Sequence, residues 1–511
     1  MRENKVGRMV PMEGNGQVLI PYGDQKPLGH HAAPRTRSCA EFPPSGDKTV
    51  ANLKTGLENA GIRDGMVIST HHHFRNGDFV AAQVFQAAAE LGVKNLIWFP
   101  SAVFPCHEPL LRHIESGVIH HIEGSLNGPV GTFASAGKMP GLAVLRSHGS
   151  RYRTLQDGEL HVDIAVIAAP ECDMFGNMTG ARGPSACGVL GFAVADAQYA
   201  NHVIAVTDNL VEFPAAPWQI PGNLVDQVVQ LDQIGDPAQI VSGTTQITRS
   251  PERLLIAELA MKFVIAAGIF KDGWSFQAGA GGTSLAFTIF ARDEMRKQQV
   301  TSSFIRGGST KYLVEMLEEG LTSCILDGQT FDLEGVRSVR DNPKHIMTSP
   351  FNSYNYHGKG NIASMLDCAL LGATEVDTEF NANVVSHSDG QMLHGIGGWQ
   401  DALFSKCTIL AVPTFRNRVP IIRDRLTTFC GPGELIDVIV TERGIAINPL
   451  RQDLYDAVEG SNLPIRPLAY LKQQAEDLCG GAPEPQALGT RPVGLVTWVD
   501  GTILDTLYQT S

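Results

Sequence analysis

The chain repeats one pattern of helices and strands, and this internal similarity limits its possible folds more than any single motif does. An apolar segment at residues 162–168 is followed by Glu-x-Asp, and a second at 366–372 is followed by Glu-x-Asp again. Self-similarity over such a length is typical of two copies of one fold in one chain. Three pairs of segments match in the same order: 109–122 with 312–325, 162–177 with 366–383, and 196–206 with 401–412.

Both copies alternate apolar strands with helical segments, which predicts two tandem similar α/β domains with mainly parallel sheets. We divide the chain into an N-terminal arm at residues 1–46, a first domain at 47–245 and a second domain at 246–511. Ser250 and Pro251 predict the start of the second domain's first helix, with serine as the N-cap and proline at the first helical position. Near the C-terminus, GLVTWVDGTILDTLY predicts two short strands around an Asp-Gly turn.

Charge and cysteine content exclude several classes of function. The 511 residues include 40 basic and 53 acidic side chains, so the formal net charge is −13. This balance argues against nucleic acid as a partner, and an anionic substrate would need a local positive site. Nine cysteines without a CxxC pair favour a reducing compartment. The first residues lack the apolar core of a signal peptide, and no run reaches the roughly 18 apolar residues of a membrane span, so we expect a cytoplasmic protein.

Glu375 ends an apolar segment, and Glu171 stands at the matching place in the first copy. In open α/β sheets ligands bind beyond the carboxyl ends of the strands, where such a carboxylate would be useful. A partly buried carboxylate can act as a base or nucleophile. It can equally cap a turn or form an ion pair, and the symmetry of the copies does not choose between the two glutamates.

Two glycine-rich segments lie in the second copy. QAGAGGTSLAF, residues 277–287, runs from a predicted strand into a predicted helix, so its amides and the helix dipole suit an anion or an oxyanion. LHGIGGWQDA, residues 393–402, is a second segment suited to close approach between backbone and ligand. Neither has the GxGxxG or GxxxxGK[ST] pattern of a nucleotide site. Tight strand-to-helix turns account for each segment equally well.

STHHHFRNGD, residues 69–78, takes the place in the first copy that a glycine-rich loop occupies in the second. Side chains alternate along a strand, so His71 and His73 could share a site while His72 points away. Two histidines beside Arg75, without a third ligand, do not satisfy a metal ion, and we expect no metal site. The residue types fit an anion clamp in which the arginine is a bidentate donor. A core or turn role is the alternative.

Four motifs follow one another along the chain: GMVISTHHHFRNGD, PECDMFGNMTG, WSFQAGAGGTSLA and ATEVDTEFNANVVSHSDG. With these motifs in this order, the chain resembles the citrate lyase alpha subunits, which belong to the family I CoA-transferases. HHHFR resembles the citrate enzymes in particular. The resemblance extends from about residue 47 to the C-terminus and implies the tandem α/β fold of that family, with both halves in one chain.

The resemblance implies roles for individual residues in the second domain. Glu375 would be the catalytic nucleophile and Glu171 its silent copy. Backbone amides around Ala280, together with that of Gly444, would stabilise the thioester oxygen. Further glycines would contact the thioester and the arm that carries it: Gly279, Gly281, Gly282, Gly395, Gly397 and Gly398.

The implied reaction exchanges acetate for citrate on a carrier thioester, so that acetyl-carrier and citrate give citryl-carrier and acetate through a covalent glutamyl intermediate. In the first domain, His71, His73 and Arg75 would bind the carboxylates of citrate. The thioester would sit on a CoA-derived prosthetic group of an acyl carrier, or on acetyl-CoA, and the chain itself would need no cofactor.

The implied partners are the beta (lyase) and gamma (acyl carrier) subunits of citrate lyase, in a hetero-oligomer without nucleic acid or membrane. Two alternatives stay open at this point. One is a free-standing CoA-transferase acting on another small di- or tricarboxylic acid, and the other is a non-catalytic scaffold subunit.

Overall fold

Two large sheets, one in each half of the chain, form the frame of the molecule. The computed structural model describes residues 1–26, 36–240, 246–279, 281–484 and 487–510. The first sheet has ten strands, all parallel to their neighbours except for a final antiparallel hairpin. From one edge to the other, these strands are Ile503–Tyr508, Pro492–Thr497, Ala143–Leu145, Ile119–Gly124, Leu96–Pro100, Val67–Thr70, Ile164–Ala168, His202–Thr207, Gln227–Gln230 and Thr49–Val50.

The second sheet has eight strands, and its order repeats that of the first. Seven consecutive strands of the first sheet, beginning with Ala143–Leu145, have counterparts in the same spatial order in the second, beginning with His345–Met347. The prediction of two tandem similar α/β domains with mainly parallel sheets is therefore confirmed. The second sheet runs His345–Met347, Ile325–Thr330, Phe304–Ser309, Ser275–Ala278, Cys368–Leu371, Thr408–Ala411, Val438–Thr441 and Gly444–Ile447.

Helices cover the sheets, as parallel sheets require on both faces. The central strands are accordingly buried along their whole length. In the first domain the α-helices are Leu53–Asn59, Val80–Glu90, Leu111–Glu115, Gly128–Ser135, His148–Asp157 and Ala193–Tyr199. In the second they are Pro251–Ala266, Gly282–Gln298, Lys311–Glu318, Leu333–Asp341, Pro350–Ser353, Trp399–Ala402, Gln452–Val458 and Leu468–Cys479. Short 3₁₀ helices are Cys39–Glu41, Arg75–Gly77, Pro105–Leu110, Gly222–Leu224, Pro237–Ile240, Ala363–Met365 and Gly433–Leu435.

The helix Pro251–Ala266 begins as its sequence predicts. The side chain of Ser250 accepts a hydrogen bond from the backbone amide of Arg253, and proline occupies the first turn, where it sacrifices no intrahelical hydrogen bond. No helix among the described residues is long and apolar enough to cross a membrane.

A small three-stranded sheet next to each large sheet carries the two matching glutamates. Glu171 pairs with Thr179, and Glu375 pairs with Asn383, in the same antiparallel register. The repeat extends to hydrogen bonds, since the amide of Asn177 donates to Asp173, and that of Asn381 donates to Asp377, each over 2.9 Å. The strands are Met178–Thr179, Glu171–Asp173 and Leu210–Val211 in the first domain, and Ala382–Asn383, Glu375–Asp377 and Ile422–Arg423 in the second.

The predicted C-terminal hairpin belongs to the first sheet, although the division made from the sequence gave it to the second domain. Its strand Pro492–Thr497 pairs in parallel with Ala143–Leu145, at a sheet edge that would otherwise expose unpaired backbone groups. The start of the N-terminal arm, residues 1–26, contacts the same hairpin, where the side-chain amide of Asn4 donates to two backbone carbonyls. Short paired strands complete the list: Arg2–Glu3 with Met9–Val10, Glu13–Gly14 with Gln17–Val18, and Phe415–Arg416 with Val419–Pro420.

Candidate functional site

A cavity of about 1010 Å³ lies between the two domains, where the carboxyl ends of both large sheets face each other. The loop after Val67–Thr70 reaches it from the first domain, and the loop after Ser275–Ala278 reaches it from the second. Its lining includes Arg75, Asn76, Phe104, His148, Phe192, Gln277, Gly279, Gly281, Gly282, Gln329, Tyr354, Thr374, Gly395, Gly397 and Gly398.

The Gly279 loop, residues 279–282, joins a buried strand to the N-terminus of the helix Gly282–Gln298, as predicted. Gly279, Gly281 and Gly282 line the cavity, and Ala280 lies outside the described residues. A β-carbon on Gly282 would come within 2.9 Å of the backbone of Gln246, so the close packing itself requires glycine. The helix therefore presents its positive end and its free amides to the cavity.

The Gly395 loop, residues 395–398, lies against the first domain. A β-carbon on Gly395 would overlap the side chain of Ser125, and one on Gly398 would overlap the hydroxyl of Tyr354. The backbone amide of His148 donates to the carbonyl of Gly397 over 2.8 Å. Gly395, Gly397 and Gly398 thus form both the wall of the cavity and the seam between the domains.

The structure divides the three histidines between two environments. The rings of His71 and His73 stack with centroids 6.3 Å apart, which confirms that they share one side of the chain. Nε2 of His71 lies 3.0 Å from Oδ2 of Asp196, and Nε2 of His73 donates to the carbonyl of Ala168 over 2.7 Å. Neither ring lines the cavity, because that side of the chain packs into the first domain's core. The citrate-binding geometry predicted for His71 and His73 is therefore not the observed one.

His72, on the other side, faces the domain interface. Its Nε2 donates to Oε1 of Gln329 over 2.9 Å, and the amide of Gln329 donates back to the carbonyl of His72 over 3.1 Å. Its ring stacks on that of His148 at 5.3 Å between centroids. Since Gln329 and His148 both line the cavity, His72 supports the wall from behind.

Arg75 lies where the sequence led us to expect an anion-binding arginine. Its guanidinium lines the cavity and packs over the ring of Phe331 at 4.4 Å and that of Phe104 at 5.5 Å. Burial lowers the pKa of Arg75 to about 10, so the side chain stays charged at neutral pH. Arg75 has φ = 53°, a left-handed backbone conformation, at the first residue of the 3₁₀ helix Arg75–Gly77.

Glu375 is fully buried and its carboxylate is held from several sides. Arg423 lies 2.9 Å from Oε1, and Asn383 donates to Oε2 over 3.1 Å. Thr427 donates twice, from its amide to Oε2 over 2.9 Å and from its hydroxyl to Oε1 over 3.0 Å. The neighbouring Thr374 lines the cavity, whereas Glu375 lies behind that wall.

Two other predicted site residues lie away from the cavity. Gly444 pairs with Thr441 at the antiparallel edge of the second sheet, so its amide does not reach the position predicted for an oxyanion donor. Glu171, the copy of Glu375, forms an ion pair with Arg182 over 2.6 Å. A second cavity of about 690 Å³ shares Thr374 and Arg416 with the large one, and Arg423, the partner of Glu375, is among its lining residues.

The chain is similar over most of its length to citrate lyase alpha subunits. The family model described as "Citrate lyase, alpha subunit (CitF)" matches residues 46–510. The citrate lyase alpha chain of Klebsiella pneumoniae is 40% identical over 465 residues, covering 90% of this chain and 91% of that protein. The alpha chain of Haemophilus influenzae is 38% identical over 464 residues, covering 90% and 93%. The chain belongs to the citrate lyase alpha-subunit family.

The fold agrees with this assignment. The crystal structure of the alpha subunit of citrate lyase from Streptococcus mutans, in complex with citrate, has a TM-score of 0.92 and 38% identity and covers 100% of both chains. Membership in the citrate lyase alpha-subunit family makes this chain an enzyme of the CoA-transferase class, as the motifs predicted.

Sequence reasoning missed several residues of this citrate lyase alpha-subunit site. Gln277 and Gln329 line the cavity at strand ends, and His148 lines it from the first domain. Arg253 and Arg416 lie on its rim. Only Gln277 had a local signal, because it stands directly before the glycine-rich run. No group of three or more potential metal ligands occurs among the residues that the structure describes.

Three histidines in or near the cavity wall are held neutral. Burial lowers the pKa of His73 to about 4, and burial together with Arg151 and Arg306 lowers that of His148 to about 3. Burial also holds the pKa of His72 well below its usual value. The positive charge around the cavity therefore comes from arginines, and the histidines contribute neutral hydrogen bonds and packing.

We expect the folded chain to lose stability as the pH falls from about 6.5 towards 4. His73 has an ordinary pKa of 6.5 that folding lowers to about 4, so below pH 6.5 the unfolded chain binds a proton that the folded chain excludes. This difference removes up to roughly 3 kcal/mol for His73 alone. Urea unfolding at a series of pH values measures it.

The matched variants are His73→Gln, whose amide can still donate to Ala168 without titrating, and His161→Gln, which changes an exposed histidine. Between pH 6.5 and 4, the free energy of unfolding should fall less steeply in His73→Gln than in the unmodified chain, and His161→Gln should behave like the unmodified chain. Equal pH profiles for the two variants would contradict this assignment.

Proposed function

We propose that the chain exchanges acetate for citrate on a carrier thioester, converting acetyl-carrier and citrate into citryl-carrier and acetate. The observation that carries the proposal is the single cavity lined by Arg75 from one domain and by the Gly279 loop from the other. An arginine suits a carboxylate of citrate, and a helix N-terminus suits a developing negative oxygen. The Streptococcus mutans relative, solved in complex with citrate, supports the choice of acid.

The proposed roles follow the position of each residue. Arg75 binds one carboxylate of citrate, while the amides of Gly281 and Gly282 face the thioester oxygen. Gly395 and Gly397 line the channel of the carrier arm. The acyl group arrives on a CoA-derived prosthetic group of an acyl carrier or on acetyl-CoA, and the chain brings no cofactor of its own.

We also propose that the chain works in a multi-subunit complex. The curated relatives are alpha chains of citrate lyase, a name that implies further subunits. The partners would be a beta subunit that cleaves the citryl thioester and a gamma subunit that carries the acyl group. Because the net charge of −13 repels acidic substrates, their binding requires a local positive charge, which the arginines of the cavity supply.

The direct test mixes the purified chain with acetylated carrier and citrate and follows the carrier by intact-mass spectrometry. We expect citryl-carrier and free acetate to form, with no oxaloacetate until a beta subunit is added. Transfer only from acetyl-CoA to a different di- or tricarboxylic acid would favour a free-standing CoA-transferase. Absence of transfer with every donor and acid would favour a scaffold subunit.

The sequence motifs support a covalent route through Glu375. Its carboxylate oxygen attacks the acetyl carbon, the thiolate leaves, and an acetyl-glutamyl anhydride forms. The thiolate then attacks the glutamyl carbonyl, releasing acetate and leaving a glutamyl thioester. Citrate repeats the two steps in reverse, so water must be kept out during both covalent stages.

The environment of Glu375 favours a second route. Its carboxylate is fully buried behind the cavity wall and lies next to Arg423. It accepts hydrogen bonds from Asn383 and Thr427. These contacts restrain the carboxylate and lower its reactivity as a nucleophile. A carboxylate of citrate can instead attack the acetyl carbon directly, forming a mixed anhydride and a thiolate. The thiolate then attacks the citryl carbonyl and releases acetate. On this route Glu375 has a structural role and holds the segment around Thr427 in place.

Glu375→Gln and Glu171→Gln separate these routes. On the covalent route Glu375→Gln abolishes transfer with the fold intact, since the amide keeps the size but loses the nucleophile, and Glu171→Gln retains most activity. On the direct route Glu375→Gln retains transfer. If Glu171→Gln is the inactive variant, the assignment of roles to the two copies is wrong.

Citrate labelled with ¹⁸O in its carboxylates identifies the route in the unmodified chain. The covalent route places ¹⁸O in the peptide that contains Glu375, and the acetate of the first turnover carries none. The direct route places ¹⁸O in that acetate and leaves the peptide unlabelled. Mass spectrometry of both products reads the outcome.

Arg75→Asn should raise the citrate concentration needed for half-maximal transfer roughly tenfold or more, because a charged hydrogen bond contributes about 1.5–3 kcal/mol. Asparagine tolerates the positive φ of this position, so the loss reports the guanidinium and not the backbone. The concentration of acetyl-carrier needed for half-maximal transfer should change little. Arg340→Asn, on an exposed helix, is the control, and an Arg75 variant with unchanged citrate dependence would disprove the role.

A further inference from the structure

Arg306 is a buried arginine next to the cavity. It lies in the strand Phe304–Ser309, is only 1% exposed, and packs over the ring of Tyr354 at 4.1 Å. Nη1 of Arg306 donates to Oε1 of Gln277, and its Nε has no hydrogen-bond partner in the part of the chain that the structure describes. Among those same residues no carboxylate forms an ion pair with it, although a buried charge is costly without one.

The first domain shows what a paired version of this arrangement looks like. There Arg151 packs over the ring of Phe99 at 4.0 Å and binds both oxygens of Asp196, each over 2.7 Å. In the sequence repeat, Asp401 is the counterpart of Asp196. Asp401 instead accepts hydrogen bonds from the hydroxyl of Ser147 over 3.2 Å and from the amide of Gly149 over 3.1 Å. In the second domain the arginine and the aromatic ring have exchanged elements: Arg306 lies on the strand that corresponds to Leu96–Pro100, and Tyr354 directly follows the short helix Pro350–Ser353. The aspartate of the second domain is bonded elsewhere, so the buried arginine there has no carboxylate partner among the described residues.

Arg306 determines how the side chain of Gln277 is oriented. An arginine has only donors, so the group of Gln277 that faces it must be the amide oxygen. The amide nitrogen, with two donor hydrogens, then points away from Arg306. Gln277 is 7% exposed and lines the cavity at the end of the strand Ser275–Ala278, and its nitrogen has no partner among the described residues.

We propose that Gln277 binds a carboxylate of the acid substrate through its side-chain amide, and that Arg306 is the positioning residue that turns this amide towards the cavity. Polarisation by the buried guanidinium strengthens the amide as a donor to a negative oxygen. Gln277 and Arg75 then hold two carboxylates of one di- or tricarboxylic acid from opposite domains. The inference rests on the proposed function for the identity of the acid.

Binding of citrate to the full chain, measured by isothermal titration calorimetry, tests Gln277 without requiring transfer. Gln277→Glu keeps the size and the contact with Arg306 but replaces the donor by a carboxylate, and we expect citrate affinity to fall by roughly a hundredfold or more. Gln277→Ala should weaken it roughly tenfold. Gln473→Glu adds the same charge on an exposed helix surface and should bind like the unmodified chain.

Arg306 is tested by a pair of variants. Arg306→Lys retains a cation that has only donors, so the amide of Gln277 stays oriented and most of the affinity for citrate remains. Arg306→Gln can also accept a hydrogen bond, so the amide is free to turn over and affinity falls as it does in Gln277→Ala. Thermal unfolding of each variant checks that the fold is retained, and Gln277→Glu tests the donor with Arg306 itself unchanged.

Unchanged citrate affinity in Gln277→Glu, or equal losses in the two Arg306 variants, would overturn the inference, as would an unmodified chain that does not bind citrate. Failure of the proposed function has a different signature. A chain that binds citrate through Gln277 and yet transfers no acyl group would retain this inference and lose the proposed reaction.

Discussion

The site depends on how closely the two domains approach each other along the Gly395 loop. Side chains at Gly395 or Gly398 would overlap Ser125 and Tyr354, and the carbonyl of Gly397 is hydrogen-bonded to the first domain. One apolar cluster includes residues from both large sheets, so no water layer separates the domains there. The distance between Arg75 and the Gly279 loop is thereby set by packing, which gives the cavity a defined width.

The two copies have kept one scaffold and changed its charges. The paired glutamates occupy the same register, yet Glu171 is balanced by one partly exposed arginine while Glu375 is enclosed by several donors. The aspartates at positions 196 and 401 diverge further. Burial raises the pKa of Asp401 to about 7 in spite of its hydrogen bonds from Gly149 and Ser147, while Arg151 and His71 hold the pKa of Asp196 far below its usual value. Matching positions of the two copies therefore differ in their charges and partners while the backbone around them stays the same.

Local patterns in the sequence were sufficient to predict the repeat, both glycine-rich turns and the C-terminal hairpin. Each depends on periodicity or backbone freedom within a few residues, and such signals can be read without knowing the tertiary structure. Side-chain alternation correctly grouped His71 with His73, but it does not specify which side of a strand meets a cavity. That choice was made by the packing of Asp196 and the backbone around Ala168.

Non-local contacts account for what the sequence did not reveal. The pairing of Arg306 with Gln277 joins neighbouring parallel strands 29 residues apart, and nothing near either residue in the chain indicates it. Gly444 resembled an oxyanion donor by motif alone, whereas the sheet uses it to pair an edge strand. The affiliation of the hairpin was equally hidden, because a hairpin signal does not identify the sheet that it joins.

The hairpin's position has a consequence for biosynthesis. The first sheet begins near residue 49 and is completed by residues 492–508, so the ribosome must deliver the whole second domain before the first can close its edge. During that interval an edge of the first sheet stays open to other strands, and contacts that span most of the chain form last. The two halves therefore mature as one unit, and gene fragments cut at the repeat boundary would each lack part of a sheet.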